Sequence, residues 1–247
     1  MAPSSDGSQW TLKVYTFNDN TIQDVIRTML EAYAIYKKDV YLASARKGGD
    51  FMLLAQMPEP QPVWAQQYNV QMEPAWARKF EPPSVVSSES LGVLTALMDL
   101  YVDTGEKKYL EPIPAALAWF KRSRLPDGKT ARFYELKTNK PLYFTKNYEL
   151  TYSDADMPTH YSFKSALGVE RYEERYQELT KTDRATLLAK RTDASRKSHS
   201  SAAYEKTVRQ VIDRLDAEGR WVDQGWILSA TFNRNMQVLA NYLAATK

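Results

Sequence analysis

The chain has 247 residues, 43% of them hydrophobic and 26% charged, with 12 Pro, 9 Gly and no Cys. This composition excludes collagen-like, disordered and disulfide-scaffold chains. With no thiol and only two histidines, His160 and His199, it also excludes thiolate metal sites and leaves little material for a Ser-His-Asp triad, while a formal charge of +3 permits a polyanionic partner without requiring one.

Residues 1–14 read as a polar lead-in that lacks the regions of a signal peptide, and one domain is expected over 15–247. From Ile22 the apolar positions Ile22, Val25, Ile26, Met29, Leu30, Tyr33 and Tyr36 have the spacing of a core-facing helix, with Asn18 or Asp19 as N-cap. A second helix is predicted from Asp39 to Gln56, ending at Pro58, Pro60 and Pro62. Residues 57–86 show no period, and loops of that length are enriched in functional segments. Ser87 or Ser88 caps a third helix that stops at Thr104 and Gly105. A fourth runs from Pro112 to Arg124, then a turn at Leu125–Gly128 and two short strands at 131–136 and 141–145. Residues 180–203 are polar and rich in Lys and Arg, reading as a solvated helix end and a mobile linker. Helices at 204–215 and 233–243 close the chain. The expectation is an all-α architecture with long loops and small β elements. No apolar run approaches membrane-spanning length, so no membrane partner is expected.

Four segments carry residues suited to chemistry: Tyr15–Asn20, Ala75–Pro82, Ala131–Glu135 and Thr138–Pro141. Each has a structural explanation when taken singly. An Asn-Asp pair before a helix is mostly a cap, an Arg near a Glu is mostly a surface ion pair, and Trp64 and Trp76 are more often core anchors than sugar platforms. His160, after Asp154 and Asp156, reads as part of a capped polar loop because no further ligand spacing supports a metal site.

Taken together, the order and wording of these segments resemble the family 10 pectate lyases. The likeness rests on Thr16-Phe17-Asn18-Asp19, Trp64-Ala65-Gln66-Gln67, Ala77-Arg78-Lys79-Phe80-Glu81-Pro82 with Ser84, Ser88-Glu89-Ser90-Leu91-Gly92-Val93, Ala131-Arg132-Phe133-Tyr134-Glu135 and Thr138-Asn139-Lys140-Pro141. The resemblance implies an α/α toroid, incomplete at its N-terminus, that cleaves α-1,4-linked polygalacturonate by calcium-assisted β-elimination. It also implies a secreted or periplasmic enzyme whose partner is an acidic polysaccharide.

The reaction removes a proton from the carbon next to a uronate carboxylate. Cations on that carboxylate stabilise the enolate-like charge that develops, and no water is added. By the resemblance, Asp19 matches a calcium-ligand aspartate and Asn18 precedes it. Asn20 stands where the family has a second Asp, keeping an oxygen but losing a charge. Arg78 and Arg132 match arginines that bind substrate carboxylates, with Lys140 and Asn18 beside them, and Arg132 is also placed among the catalytic residues. The family's base is an arginine shortly after a Thr-Asn-Arg-Pro segment, and spacing from Arg132 puts Lys146 in that role. Lysine titrates near about 10.4 and surrounding cations would lower it, so the rate is expected to rise towards alkaline pH. An upstream Asp-Asn-Gly-type segment of the family has no counterpart here, and Asp50 is a conceivable substitute without support from spacing. The alternative is a non-catalytic or degenerate uronate-binding protein of the same fold. A nucleic-acid partner is not expected, because the basic stretch at 181–197 lacks interleaved aromatics.

Overall fold

A computed structural model describes residues 14–246, without the side chains of 191–196 and 198. All but the last residue of the predicted lead-in lies outside the described residues. The chain divides into two compact units, one ending at Lys181 and the other beginning at Thr182.

Five of the eight described helices belong to the first unit: α1 (Thr21–Tyr36), α2 (Asp39–Ala55), α3 (Ser87–Thr104), α4 (Ile113–Arg122) and α5 (Glu170–Lys181). α1 follows the predicted stripe and buries Ile26 and Leu30, but its cap differs from the expectation. Asp19 and Asn20 both adopt left-handed backbone, at φ 52° and 58°, and Asn20 is the N-cap without a side-chain hydrogen bond. The pair of left-handed residues turns the chain sharply, so Asn18 and Asp19 sit before the helix axis and cannot reach its first amides. α3 is buried on most sides, from Leu91 to Val102, and ends at Gly105 in the left-handed conformation expected of a helix stop. Its N-cap is Val86, not a serine, because Ser87 uses its hydroxyl on the carbonyl of Ala131 at 2.8 Å. α1 and α2 pack closely at Gly48, where an added Cβ would lie 2.7 Å from Ile26 Cγ1.

The aperiodic stretch and the segment after α4 supply short antiparallel strands. β1 (Tyr15–Thr16) pairs with β2 (Gln67–Tyr68). β3 (Val85–Val86), β5 (Phe133–Tyr134), β6 (Pro141–Phe144) and β7 (Leu150–Thr151) form a four-stranded sheet in that order. β4 (Thr130–Ala131) pairs with β8 (Lys164–Ser165). The predicted hairpin is therefore present, with Phe133 opposite Leu142 and Tyr134 opposite Pro141. Trp119 packs on Tyr134 and Phe163 on Phe133 of the hairpin, Trp64 and Tyr109 are also fully buried, and Trp64 donates to the Met52 carbonyl at 2.7 Å as a core residue.

The second unit holds α6 (Arg184–His199), α7 (Ala202–Ile212) and α8 (Ser229–Thr246). Residues 184–199 are thus helical where the sequence suggests a linker, since a polar helix with one buried leucine, Leu187, shows little periodicity. Trp221 anchors this unit, donating to the Val211 carbonyl at 2.7 Å and packing edge-on against Phe232.

Candidate active site

β3 leads directly into α3, and β5 runs beside β3, so Arg132 at the start of β5 meets the first turn of α3. The amide of Ser87 donates to the Arg132 carbonyl at 2.9 Å, and the Arg132 amide donates to Phe163 at 2.8 Å. This main-chain stitching puts the Arg132 side chain against Glu89, to which Nη2 donates at 2.7 Å. Glu89 is 6% exposed and also accepts from Ser88. The Arg132 Nε is buried without a partner in the protein.

Arg78 lies on a tight turn closed by the Glu81 amide on the Arg78 carbonyl at 2.8 Å. Its guanidinium meets Glu81 in a two-pronged ion pair, Nε to Oε2 at 2.9 Å and Nη2 to Oε1 at 2.5 Å. Such paired donation fixes the plane of the guanidinium. Glu81 is 2% exposed, and Tyr161 Oη donates to it at 2.9 Å. Burial pushes the Glu81 carboxyl up, but hydrogen bonds from Arg78 and Tyr161 hold it below its ordinary value. Burial likewise pushes the Tyr161 hydroxyl up, with the Glu81 charge adding to it and Arg132 opposing.

The Tyr161 ring joins the two arginines. Arg132 Cζ lies 4.6 Å and Arg78 Cζ 5.6 Å from its centroid. Two guanidiniums therefore share one aromatic ring, each anchored from behind by a buried glutamate. Arg78 is also 5.1 Å from the Phe80 centroid. Asp19 is near enough for its charge to bear on Arg78.

Other expected site residues lie apart from this pair. Lys146 is exposed on the turn after β6 and pairs with Asp156 at 3.1 Å, so its close charged neighbour is an acid and not the cations expected around it. Lys140 stands over the Tyr152 ring at 5.3 Å. Asn20 turns its Oδ1 towards α3, where a Cβ on Gly92 would come within 2.5 Å of it. It lines a cavity of about 420 Å³ between α1, α3 and residues 166–172, which includes the buried Gln23 but none of Arg78, Arg132, Lys146 or Tyr161. Asn18 donates from Nδ2 to Asp19 at 2.9 Å, and its Oδ1 is buried without a partner in the protein. Asp50 is engaged by Lys108 at 2.6 Å.

Asp19 with Asn18 and Asn20 offers oxygen donors of the kind calcium takes, but only one carboxylate. Among the described residues no three acidic or histidine side chains cluster to hold a metal. A calcium ion prefers six to eight oxygens, so one bound at Asp19 would draw most of its oxygens from a sugar acid and water.

Glu89 and Tyr161 are the residues that sequence reading passed over, and Glu81, read as a surface ion-pair partner, is buried. The two glutamates stand inside quoted segments, but their partnership with the arginines depends on folding for Arg132 and on turn geometry for Arg78.

Residues 12–131 match the family model described as pectic acid lyase. The fold is similar to that of a family 10 polysaccharide lyase from Cellvibrio cellulosa, with TM-score 0.55 and 23% identity over 69% of this chain and 65% of that one. It is similar, too, to a mutant of that lyase in complex with trigalacturonic acid, with TM-score 0.53 and 23% identity over 68% of this chain and 63% of that one. The chain thus spans less than two thirds of the length of these structures. No characterised protein sequence matches closely enough to count as a relative. The fold likeness bears out the expected all-α toroid class.

Proposed function

We propose that this chain, a member of the pectic acid lyase family through residues 12–131, cleaves α-1,4-linked polygalacturonate by β-elimination. The observation that carries the reading is the placement of Arg78 and Arg132 on one tyrosine ring, each held by a buried glutamate. Guanidinium nitrogens not used by the glutamates present paired donors to a uronate carboxylate. Withdrawing charge from that carboxylate acidifies the adjacent carbon and stabilises the anion that forms as its proton leaves. The C–H electrons become a C=C bond, and the glycosidic oxygen departs from the neighbouring carbon and is protonated by solvent.

Lys146, as the neutral amine, is our candidate to take the proton. Its pairing with Asp156 must open for it to do so. Lys140 and Asn18 are proposed contacts to the sugar chain, and Asp19 and Asn20 the residues that would hold calcium. Glu81, Glu89 and Asp19 together outnumber the two arginines, so the platform alone carries no excess positive charge. A bound calcium ion would supply the additional charge that neutralises the substrate carboxylate. Because the polymer is an extracellular material, we place the protein outside the cytoplasm, secreted or periplasmic. Among the described residues no helix is long and apolar enough to cross a membrane.

The test is the ultraviolet absorbance of the unsaturated uronate product from polygalacturonate, with and without a calcium chelator. Product that disappears with chelator supports both the reaction and the metal. The engagement of Lys146 by Asp156 favours one other reading, a non-catalytic uronate-binding protein. Binding of trigalacturonate without product would establish that reading instead.

A further inference from the structure

Next to the arginine pair stands a cation that makes no ion pair within 4 Å among the described residues. Lys79 Nζ lies 3.5 Å from the centroid of the Tyr148 ring. Lys79 occupies the turn between Arg78 and Glu81, closed at both ends by the Glu81 amide on Arg78 and the Ala77 amide on Glu81, at 2.8 and 3.1 Å. The turn fixes where its stem departs, and the ring fixes where its ammonium rests. Tyr148 is itself held: it stacks on Phe80 at 5.6 Å, its hydroxyl meets His160 Nε2 at 3.4 Å, and its backbone is left-handed at φ 65°. Phe80 in turn supports Arg78. The ammonium is therefore positioned one aromatic stack away from the arginine platform, exposed to solvent.

We propose that Lys79, held by Tyr148, binds the carboxylate of a second uronate while the first sits on Arg78 and Arg132. The proposal rests on the uronate reading above and adds a specificity-determining position to it. Arg78 and Arg132 are each tied to an internal glutamate, whereas Lys79 is in direct contact with no carboxylate, so its ammonium is open to an incoming one. Tyr148 orients the ammonium without neutralising it. The position discriminates a free carboxylate from its methyl ester, which has no charge to offer.

Calorimetric titration tests this with trigalacturonate and its fully methyl-esterified form on the intact chain and on Lys79→Met, Lys79→Arg and Tyr148→Leu. Expected is a loss of about two- to fivefold in trigalacturonate affinity for K79M, the range of an exposed ion pair. K79R should restore it, and Y148L should resemble K79M. Neither K79M nor Y148L should alter the affinity for the ester. Equal binding of trigalacturonate by K79M and the unaltered chain overturns the proposal while leaving the uronate reading intact. An equal loss for acid and ester also overturns it, by making Lys79 a structural residue. Failure of the unaltered chain to bind trigalacturonate at all overturns the uronate reading and this position with it.

Discussion

At Glu81 two opposing effects meet. Removing a carboxylate from water favours its neutral form, while Arg78 and Tyr161 donate hydrogen bonds that favour the ion, and the ion wins. Because the folded-state value is depressed, the stabilisation is present above the ordinary glutamate pKa of about 4.3 and is lost as pH falls through the lower folded value. Thermal unfolding followed by circular dichroism should show this acid-side loss of stability, and Glu81→Gln should flatten it. The substitution should also cost about 1–3 kcal/mol, a figure kept modest because Arg78 is 44% exposed and remains solvated. Arg132→Lys tests the other arm. A lysine lacks the planar fork that engages Glu89 and a sugar carboxylate together, so kcat/KM on polygalacturonate should fall about tenfold or more. If Lys146 is the base, Lys146→Met should lower kcat on polygalacturonate about a hundredfold or more while trigalacturonate affinity changes far less. An unchanged kcat would remove Lys146 from the reaction.

Between residue and whole lie the helix contacts and the hairpin that hold the arginines in place. Thr138-Asn139-Lys140-Pro141 reads in the sequence as part of a functional signature, yet Asn139 is a structural hub. Its backbone is left-handed at φ 56°, its Oδ1 accepts from Trp119 at 2.8 Å and Gln61 at 3.0 Å, and its Nδ2 donates to Ser123 at 2.8 Å. Asn139→Ala should therefore destabilise by about 3 kcal/mol or more, since buried donors lose their partner and alanine resists this backbone. Denaturant melts will measure it. Gly49 in α2 meets a different constraint. A Cβ there would lie 2.5 Å from Leu100 Cδ1 and 2.7 Å from Tyr109 Cε1. Overpacking of about 1–3 kcal/mol should outweigh the helix propensity gained, about 1 kcal/mol at most, so Gly49→Ala should lower Tm. Helix periodicity made α1 and α3 legible, because burial repeats along those segments, while turn residues marked the hairpin. Periodicity failed at residues 184–199, where Leu187 alone is buried among the described side chains, and at the α1 cap, where two left-handed residues redirect the chain.

On the scale of the whole molecule, the proposed ligand is a chain of carboxylates and the site meets it with Arg78, Arg132 and Lys79. Trigalacturonate affinity should fall several-fold between about 0.1 M and 1 M salt, as the Debye length shrinks from about 10 Å to 3 Å. Affinity that is flat over this range would leave charge out of the recognition. The sequence by itself determined the helical class, the core stripes and, through short ordered segments, a family resemblance that singles out two arginines. These are local in the chain, set by spacing and residue type. Tertiary structure alone decided that Arg132 meets Glu89 across 43 positions and that Tyr161 reaches Glu81 across 80. It also decided that Lys146 faces Asp156 and that Asn139 supports the hairpin. Such pairings arise because strand register and buried charge bring distant segments together, and no linear spacing encodes which buried acid will answer which arginine.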